Sequence, residues 1–251
     1  MFNPMSLTGN TYILTGAASG IGRATTILLS ELGANLVLID RDIVGLKNVS
    51  SQCVTKVDYY ECDLENHNRT SQLLKNLISK YTFSGFAHIA GISYISPLKT
   101  ITEEKTLQIL RINTLAGLEL AKYLSYGKAI SPNGSSFVFV SSIYASVGTP
   151  ANCSYAISKA AIHGMVKALA IELAPKNVRV NCIAPGFVKT EMATMNESKF
   201  NEDYLDHINS LHPLGIGHPN DVALGIAFML SEASRWMTGV IMPLDGGYTA
   251  Q

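Results

Sequence analysis

Short apolar runs and amphipathic stretches alternate along the whole chain. TYILTG (11–16), NLVLID (35–40), GFAHIAG (85–91), SSFVFVSS (135–142), VRVNCIAPG (178–186) and GVIMPLDGG (239–247) are largely apolar, as strands covered on both faces must be. KVDYYECD (56–63) is a weaker seventh candidate. Between these runs the period changes to that of a helix. IGRATTILLSELGA (21–34) gathers Ile21, Ala24, Ile27, Leu28 and Leu32 on one side, and TSQLLKNLISKY (70–81) is amphipathic. Longer helical stretches follow at 102–125, 152–174 and 219–232, with Thr102 placed to cap the first and Pro175 to stop the second. This alternation predicts an α/β fold: one doubly wound, seven-stranded, mainly parallel sheet with helices on both faces. No linker, repeat or low-complexity tract divides residues 1–251, so a single domain is expected. The stretch 187–218 breaks the pattern, with little β character and Pro213 near its end. It reads as a flap over a site.

Composition narrows the function. Hydrophobic residues make up 47% of the 251 positions and charged residues 15%, which suits a globular domain with a sizeable core. Basic and acidic residues balance at 19 each and form no long basic run, so neither a nucleic acid nor an anionic membrane is expected as a partner. No apolar run is long enough to span a bilayer, and MFNPMSLTGN (1–10) does not read as an export signal. Cys53, Cys62, Cys153 and Cys182 form no CxxC pair, so free thiols and a cytoplasmic location are expected. The six histidines include no HExxH, and His207 and His212 are poorly spaced for a shared ligand, so no metal site is expected.

Three stretches carry candidate chemistry. TGAASGIG (15–22) lies between the first strand and the first helix, its glycines spaced G-x-x-x-G-x-G. Gly16 permits a tight turn, Gly20 and Gly22 let a ligand approach the backbone, and the helix N-terminus attracts phosphate. Asp40 ends the second strand eighteen residues beyond Gly22, where a carboxylate can hold the hydroxyls of an adenosine ribose. A cap for the next helix is the plainer role for it. CSYAISKAAIHG (153–164) puts Tyr155 and Lys159 one turn apart on the same helix face. Taken alone, that spacing reads as a surface pair, with Tyr155 packed and Lys159 in water.

In order and spacing, TGAASGIG, CDL (62–64), IAG (89–91), RIN (111–113), VSS (140–142), YAISK (155–159), NCIAPGFVKT (181–190) and TGVIMPLDGG (238–247) resemble the short-chain dehydrogenase/reductase family over essentially the whole chain. The nearest likeness is to the single-domain branch that includes 3-oxoacyl-[acyl-carrier-protein] reductases and secondary-alcohol and sugar dehydrogenases. The resemblance implies a Rossmann-type fold and hydride transfer between a nicotinamide cofactor and a secondary alcohol or ketone. It makes Tyr155 the general acid/base, Lys159 its activator, Ser142 the hydroxyl that polarises the carbonyl, and Asn113 the anchor of a proton-relay water. An ordinary tyrosine ionises near pH 10, and lowering that by about three units requires roughly 4 kcal/mol. The Lys159 ammonium and the charge of an oxidised nicotinamide are the expected sources. A buried structural hydrogen bond would equally explain an asparagine in mid-helix.

By the same resemblance, cofactor contacts are expected from Gly16, Ser19, Gly20, Ile21, Gly22, Asp40, Arg41, Asp63, Leu64, Ala90, Gly91, Tyr155, Lys159, Pro185, Gly186, Val188 and Thr190. Substrate contacts are expected from Ser142, Tyr144 and Tyr155. Ser93, Tyr94, Ile95, Cys153, Met192, Met195 and Tyr204 are further candidates that ordinary packing explains equally well. One departure stands out: His88-Ile89 occupies the place of the family's usual Asn-Asn. NAD is the expected cofactor because Asp40 would face the 2′-phosphate of NADP, although Arg41 could swing over that phosphate and admit it. The substrate should be a small molecule. An NADPH-dependent reductase of 3-oxoacyl carrier protein is the alternative, with Lys99, Lys105, Arg111 and Lys128 as basic docking candidates. A non-catalytic dinucleotide sensor is a remote third reading. A homotetramer is implied, or a dimer, joined through the helices at 102–125 and 152–174 and through 239–251.

Overall fold

A computed structural model of the chain describes residues 3–125, 129–192 and 202–251. Seven strands form one sheet: β1 (Thr11–Thr15), β2 (Asn35–Asp40), β3 (Val57–Glu61), β4 (Gly85–His88), β5 (Ser135–Val140), β6 (Val178–Pro185) and β7 (Ile241–Leu244). Their order is β3-β2-β1-β4-β5-β6-β7, and every ladder is parallel. The expected sheet is therefore present, with no antiparallel member.

Side chains alternate between two cores, as the strand period of two requires. Ile13, Val37, Phe86, Phe137 and Phe139 belong to one cluster, and Tyr12, Leu14, Leu36, Leu38 and Val138 to the other. The first is covered by α3 (His67–Lys80), α5 (Ala116–Leu124) and α6 (Cys153–Leu173), the second by α1 (Gly20–Glu31) and α8 (Pro219–Leu230). Strands β3 and β7 are the sheet edges and are only half-buried. That is why 56–63 reads weakly in the sequence and why Pro243 is tolerated in β7.

Three features differ from the sequence expectation. Helix α2 (Ile43–Ser50) follows β2, and α7 (Glu202–Ser210) lies inside the expected flap. The expected helix over 102–125 is not continuous: α4 (Glu103–Leu110) passes through a π-helical turn at Arg111–Leu115 into α5. Thr102 does cap it, its hydroxyl accepting from the Lys105 N–H at 3.2 Å. The two ends of the 187–218 stretch meet in a short parallel bridge, with Lys189 N donating to Gly217 O at 2.9 Å and Gly217 N to Phe187 O at 3.0 Å.

Candidate active site

The strand order reverses between β1 and β4, and that switch point opens a crevice at the C-terminal edge of the sheet. Two turns meet there. Gly16 has φ +66°, and a Cβ on it would sit 2.7 Å from the Ala90 backbone. A Cβ on Gly22 would sit 1.8 Å from Gly16 O, so the turn closes only with glycine at both places. Helix α1 starts at Gly20 with no side-chain cap from Ser19 and no acidic residue in its first turn. Its N-terminal N–H groups are thus left for an anionic ligand.

Asp40 faces this turn. Its carboxylate accepts from Ala18 N and Asp42 N, each at 3.0 Å. The cap of α2 is Asp42, which accepts from Val44 N and Gly45 N, so the plainer role suggested for Asp40 is filled by its neighbour. Donor turn, glycine cradle and strand-end carboxylate together fit a dinucleotide. Arg41 is exposed beside Asp40. Asp63 is exposed, with one carboxylate oxygen accepting from Glu65 N at 3.0 Å. Leu64 packs into the core, so its side chain serves stability.

On the other side of the crevice, β5 delivers Ser142 and α6 delivers Tyr155 and Lys159. Lys159 is buried, donates from Nζ to Val140 O at 2.8 Å, and lies 5.6 Å from the centroid of the Tyr155 ring. Ser142 is buried, accepts from Tyr144 N at 3.2 Å, and hydrogen-bonds the Tyr155 hydroxyl. A Cβ on Gly91 would lie 3.3 Å from Asn113 Oδ1 and 3.4 Å from Lys159 Nζ, so those groups close over the same glycine.

Burial pushes the Tyr155 phenol up to about 12, only partly offset by the Ser142 hydrogen bond. Burial also pulls the Lys159 ammonium down to about 8. The expected lowering of the tyrosine is therefore not supplied by the chain alone: desolvation dominates, and the Lys159 ammonium is engaged with Val140 O. The phenol is a proton donor at neutral pH.

Asn113 sits in the π turn and is fully buried. Its Oδ1 accepts from Ile92 N at 2.8 Å, and its Nδ2 donates to Ile92 O and Ser158 Oγ, each at 3.0 Å. The structural hydrogen bonds weighed for it are thus present, and both amide hydrogens are used. Any proton-relay duty falls to its oxygens.

Residues 16–249 match the family described as enoyl-(acyl carrier protein) reductase. The chain is 34% identical over 248 residues to the 3-oxoacyl-[acyl-carrier-protein] reductase FabG of Thermotoga maritima, covering 97% of this chain and 99% of that one. The chain belongs to the short-chain dehydrogenase/reductase family.

It is also 30% identical over 248 residues to the 2,5-dichloro-2,5-cyclohexadiene-1,4-diol dehydrogenase of Sphingobium indicum, with 97% and 98% of the two chains covered. Among solved structures, a candidate NAD(P)-dependent gluconate 5-dehydrogenase from Beutenbergia cavernae, with NADP bound at low occupancy, superposes with a TM-score of 0.92. That match has 26% identity and covers 99% of this chain and 100% of that one. Membership of the short-chain dehydrogenase/reductase family makes this chain a nicotinamide-dependent oxidoreductase acting between an alcohol and a carbonyl.

The remaining family positions divide. Pro185 ends β6, and Gly186 N donates to Leu244 O at 2.9 Å. Val188 is buried at the bridge to Gly217, and the Thr190 methyl would lie 3.3 Å from a Cβ on Gly20, so the loop after β6 reaches the glycine turn. Ile21 and Ala90 are half-buried, and Ile21 packs against the α1 core. Tyr144 is half-buried beside Ser142, whereas Cys153 is exposed at the start of α6. Ser93 and Ile95 are half-buried in the loop after β4. Tyr94 lies under the Lys105 ammonium at 5.5 Å and lines a separate groove of about 650 Å³. Met192 is exposed, and Met195 and the Tyr204 side chain lie outside the described residues. Among the described residues, no group of histidines, cysteines and carboxylates could hold a metal, and no helix is long and apolar enough to cross a membrane.

Three supports were not anticipated. Thr15 Oγ1 accepts from Ile89 N at 3.2 Å and Ala90 N at 3.3 Å, fixing the switch-point loop. Ser141 Oγ donates to Lys159 O at 2.9 Å and lies 3.0 Å from His163 Nε2, bracing α6. Ser158 receives the Asn113 amide. Thr15 and Ser141 lie inside the quoted motifs TG and VSS, but only the ladder register shows which way each hydroxyl points.

The buried ring of His88 gives a pH prediction. Burial, aided by the Lys159 ammonium, lowers its pKa from 6.5 to about 4. Between those values the unfolded chain binds more protons, so this contribution is full above about pH 6.5 and falls as pH drops toward 4. The loss across the window is about 3 kcal/mol. Thermal unfolding followed from pH 7 to pH 4.5 should therefore fall more steeply for the wild type than for His88→Asn. Parallel curves would remove His88 as the source.

Proposed function

We propose that this enzyme interconverts a small-molecule secondary alcohol and its ketone at the Tyr155 cleft, with NAD preferred over NADP. The observation that carries this reading is the meeting of Asn113, Ser142, Tyr155 and Lys159 beside Gly91, next to the glycine turn. Ser142 Oγ accepts from Tyr144 N, and its proton, which meets the Tyr155 oxygen, can turn to a substrate oxygen that enters between them. Tyr155, neutral in the cleft, gives its proton to that oxygen as negative charge develops there. Lys159, anchored on Val140 O, places positive charge where it lowers the energy of the phenolate left behind, and reaches the ribose side of the cleft over Gly91. The nicotinamide, when bound, supplies or receives the hydride. Asp40 would hold the adenosine ribose and the α1 N-terminus the pyrophosphate.

A second reading, reduction of a 3-oxoacyl thioester on a carrier protein, is favoured by the FabG relatives. It is weakened by the charges around the candidate docking residues. Lys105 and Arg111 share their groove with Glu65 and Glu104, so it is not a uniformly basic face for an acidic carrier. Lys99 is exposed, and Lys128 lies outside the described residues. Turnover of small ketones or secondary alcohols with catalytic efficiency at least equal to that of carrier-bound 3-oxoacyl groups supports the first reading. A large excess for the carrier-bound thioester supports the second.

A homotetramer accompanies this proposal. The small residues Ala160, Ala161, Gly164 and Ala168 lie on the exposed side of α6, with Ile157 and Ile171 exposed alongside and Leu107, Leu115 and Leu118 exposed on the preceding helices. Trp236 is 95% exposed just before β7, a second apolar surface near the chain end. Light scattering at micromolar concentration should give about four times the 27.0 kDa chain mass, and a monomer mass would defeat the proposal.

A further inference from the structure

We infer that His88 is a positioning residue that locks the glycine turn and the Asn113 turn in one register, each ring nitrogen serving one turn; the inference rests on the function proposed above. His88 ends β4 and is 1% exposed. Its Nδ1 lies 2.8 Å from Thr15 Oγ1 and its Nε2 3.1 Å from Ile112 O. The Thr15 hydroxyl already accepts from Ile89 N and Ala90 N, so its single proton goes to Nδ1. Nε2 therefore carries the ring hydrogen and donates it to Ile112 O. The neutral tautomer is fixed by its two neighbours.

Those neighbours lie one residue from the working groups. Thr15 precedes Gly16, and Ile112 precedes Asn113 within the π turn. The ring thus spans from the turn that would hold the cofactor to the turn that presents Asn113. A second observation shows that the fold makes room for it. Gly117 lies in α5, and a Cβ there would sit 2.7 Å from His88 Cδ2 and 2.8 Å from Phe139 Cε1. A helix-interior glycine is unfavourable by itself, and here it clears the volume the imidazole fills. The other charged group facing the ring is Lys159 on α6, which further disfavours its protonation. An asparagine, usual at this place by the family resemblance, has one short amide and reaches one partner at a time.

Two conservative variants separate the two bonds. The amide of His88→Asn falls near the place of Nδ1 and keeps Thr15. The amide of His88→Gln falls near the place of Nε2 and keeps Ile112. With the full chain, hydrogen exchange of the amides of 111–115 should speed up about tenfold in His88→Asn and stay near wild type in His88→Gln. Exchange at Ile89 and Ala90, and the NAD dissociation constant by titration calorimetry, should show the reverse, with affinity about fivefold weaker in His88→Gln only. On a ketone that the wild type turns over, kcat should fall about tenfold in His88→Asn and change little in His88→Gln. The exchange and affinity arms read the positioning role even if no ketone is turned over, an outcome that would count against the proposed function alone. Equal effects of both variants at both turns, tracking only their melting temperatures, would overturn the inference.

Discussion

Tyr155→Phe is expected to lower kcat about a thousandfold while NAD affinity stays within about twofold of wild type. The substitution keeps the ring and removes only the hydroxyl. Lys159 packs near that ring with its ammonium on Val140 O, an anchor that does not pass through the phenol. The α1 N-terminus and Asp40 are likewise untouched. The loss should therefore appear in the chemical step. Lys159→Met should behave differently, because Nζ lies over Gly91, where the proposed cofactor ribose would sit: turnover and cofactor affinity should fall together. A Tyr155→Phe enzyme that kept a substantial fraction of wild-type turnover would show that another group moves the proton.

The second large effect is on cofactor choice. A carboxylate at about 4 Å from a 2′-phosphate is repelled by roughly 4 kcal/mol at an effective dielectric of about 20, a factor of about a thousand in affinity. Water and Arg41 relieve part of this, so Asp40→Ala should raise the ratio of kcat/KM for NADP to that for NAD by about ten- to a hundredfold. Asp40 also holds Ala18 N and Asp42 N, so both cofactors should lose some affinity in the alanine variant. The ratio cancels that shared loss. Asp40→Asn, which can still accept from Ala18 N, should raise the ratio with less general damage. An unchanged ratio in both variants, or an NADP preference in the wild type, would remove Asp40 as the selector.

The parallel sheet was legible because its central strands are buried on both faces and read as unbroken apolar runs. The edge strand β3 was weaker because alternate residues face water. The π turn at Arg111–Leu115 was not legible: Arg-Ile-Asn-Thr-Leu carries no glycine or proline, and the register change comes from buried partners, Ile92 and Ser158 on Asn113 and His88 on Ile112. Helix α2 was missed although Asp42 caps it, because Asp40 and Asp42 are both plausible caps in sequence and only the fold shows that Asp40 turns to the glycine loop. At the site, spacing alone did not set Tyr155 and Lys159 apart from a surface pair; the family resemblance grouped them with Ser142, and the fold brings the three side chains together. The direction of the tyrosine's pKa was not legible, since burial comes from the folded surroundings of the ring and no motif displays it.

The central claim, that this crevice runs nicotinamide-linked redox chemistry on an alcohol or carbonyl carbon, is tested most directly by a substrate screen. Purified full-length protein is offered secondary alcohols with NAD and NADP, and ketones and 3-oxoacyl thioesters with their reduced forms, while nicotinamide absorbance is followed. The account predicts substrate-dependent turnover, faster with NAD than with NADP. Tight cofactor binding with no absorbance change across the whole panel would contradict it, and would mark the protein as a dinucleotide binder without catalysis.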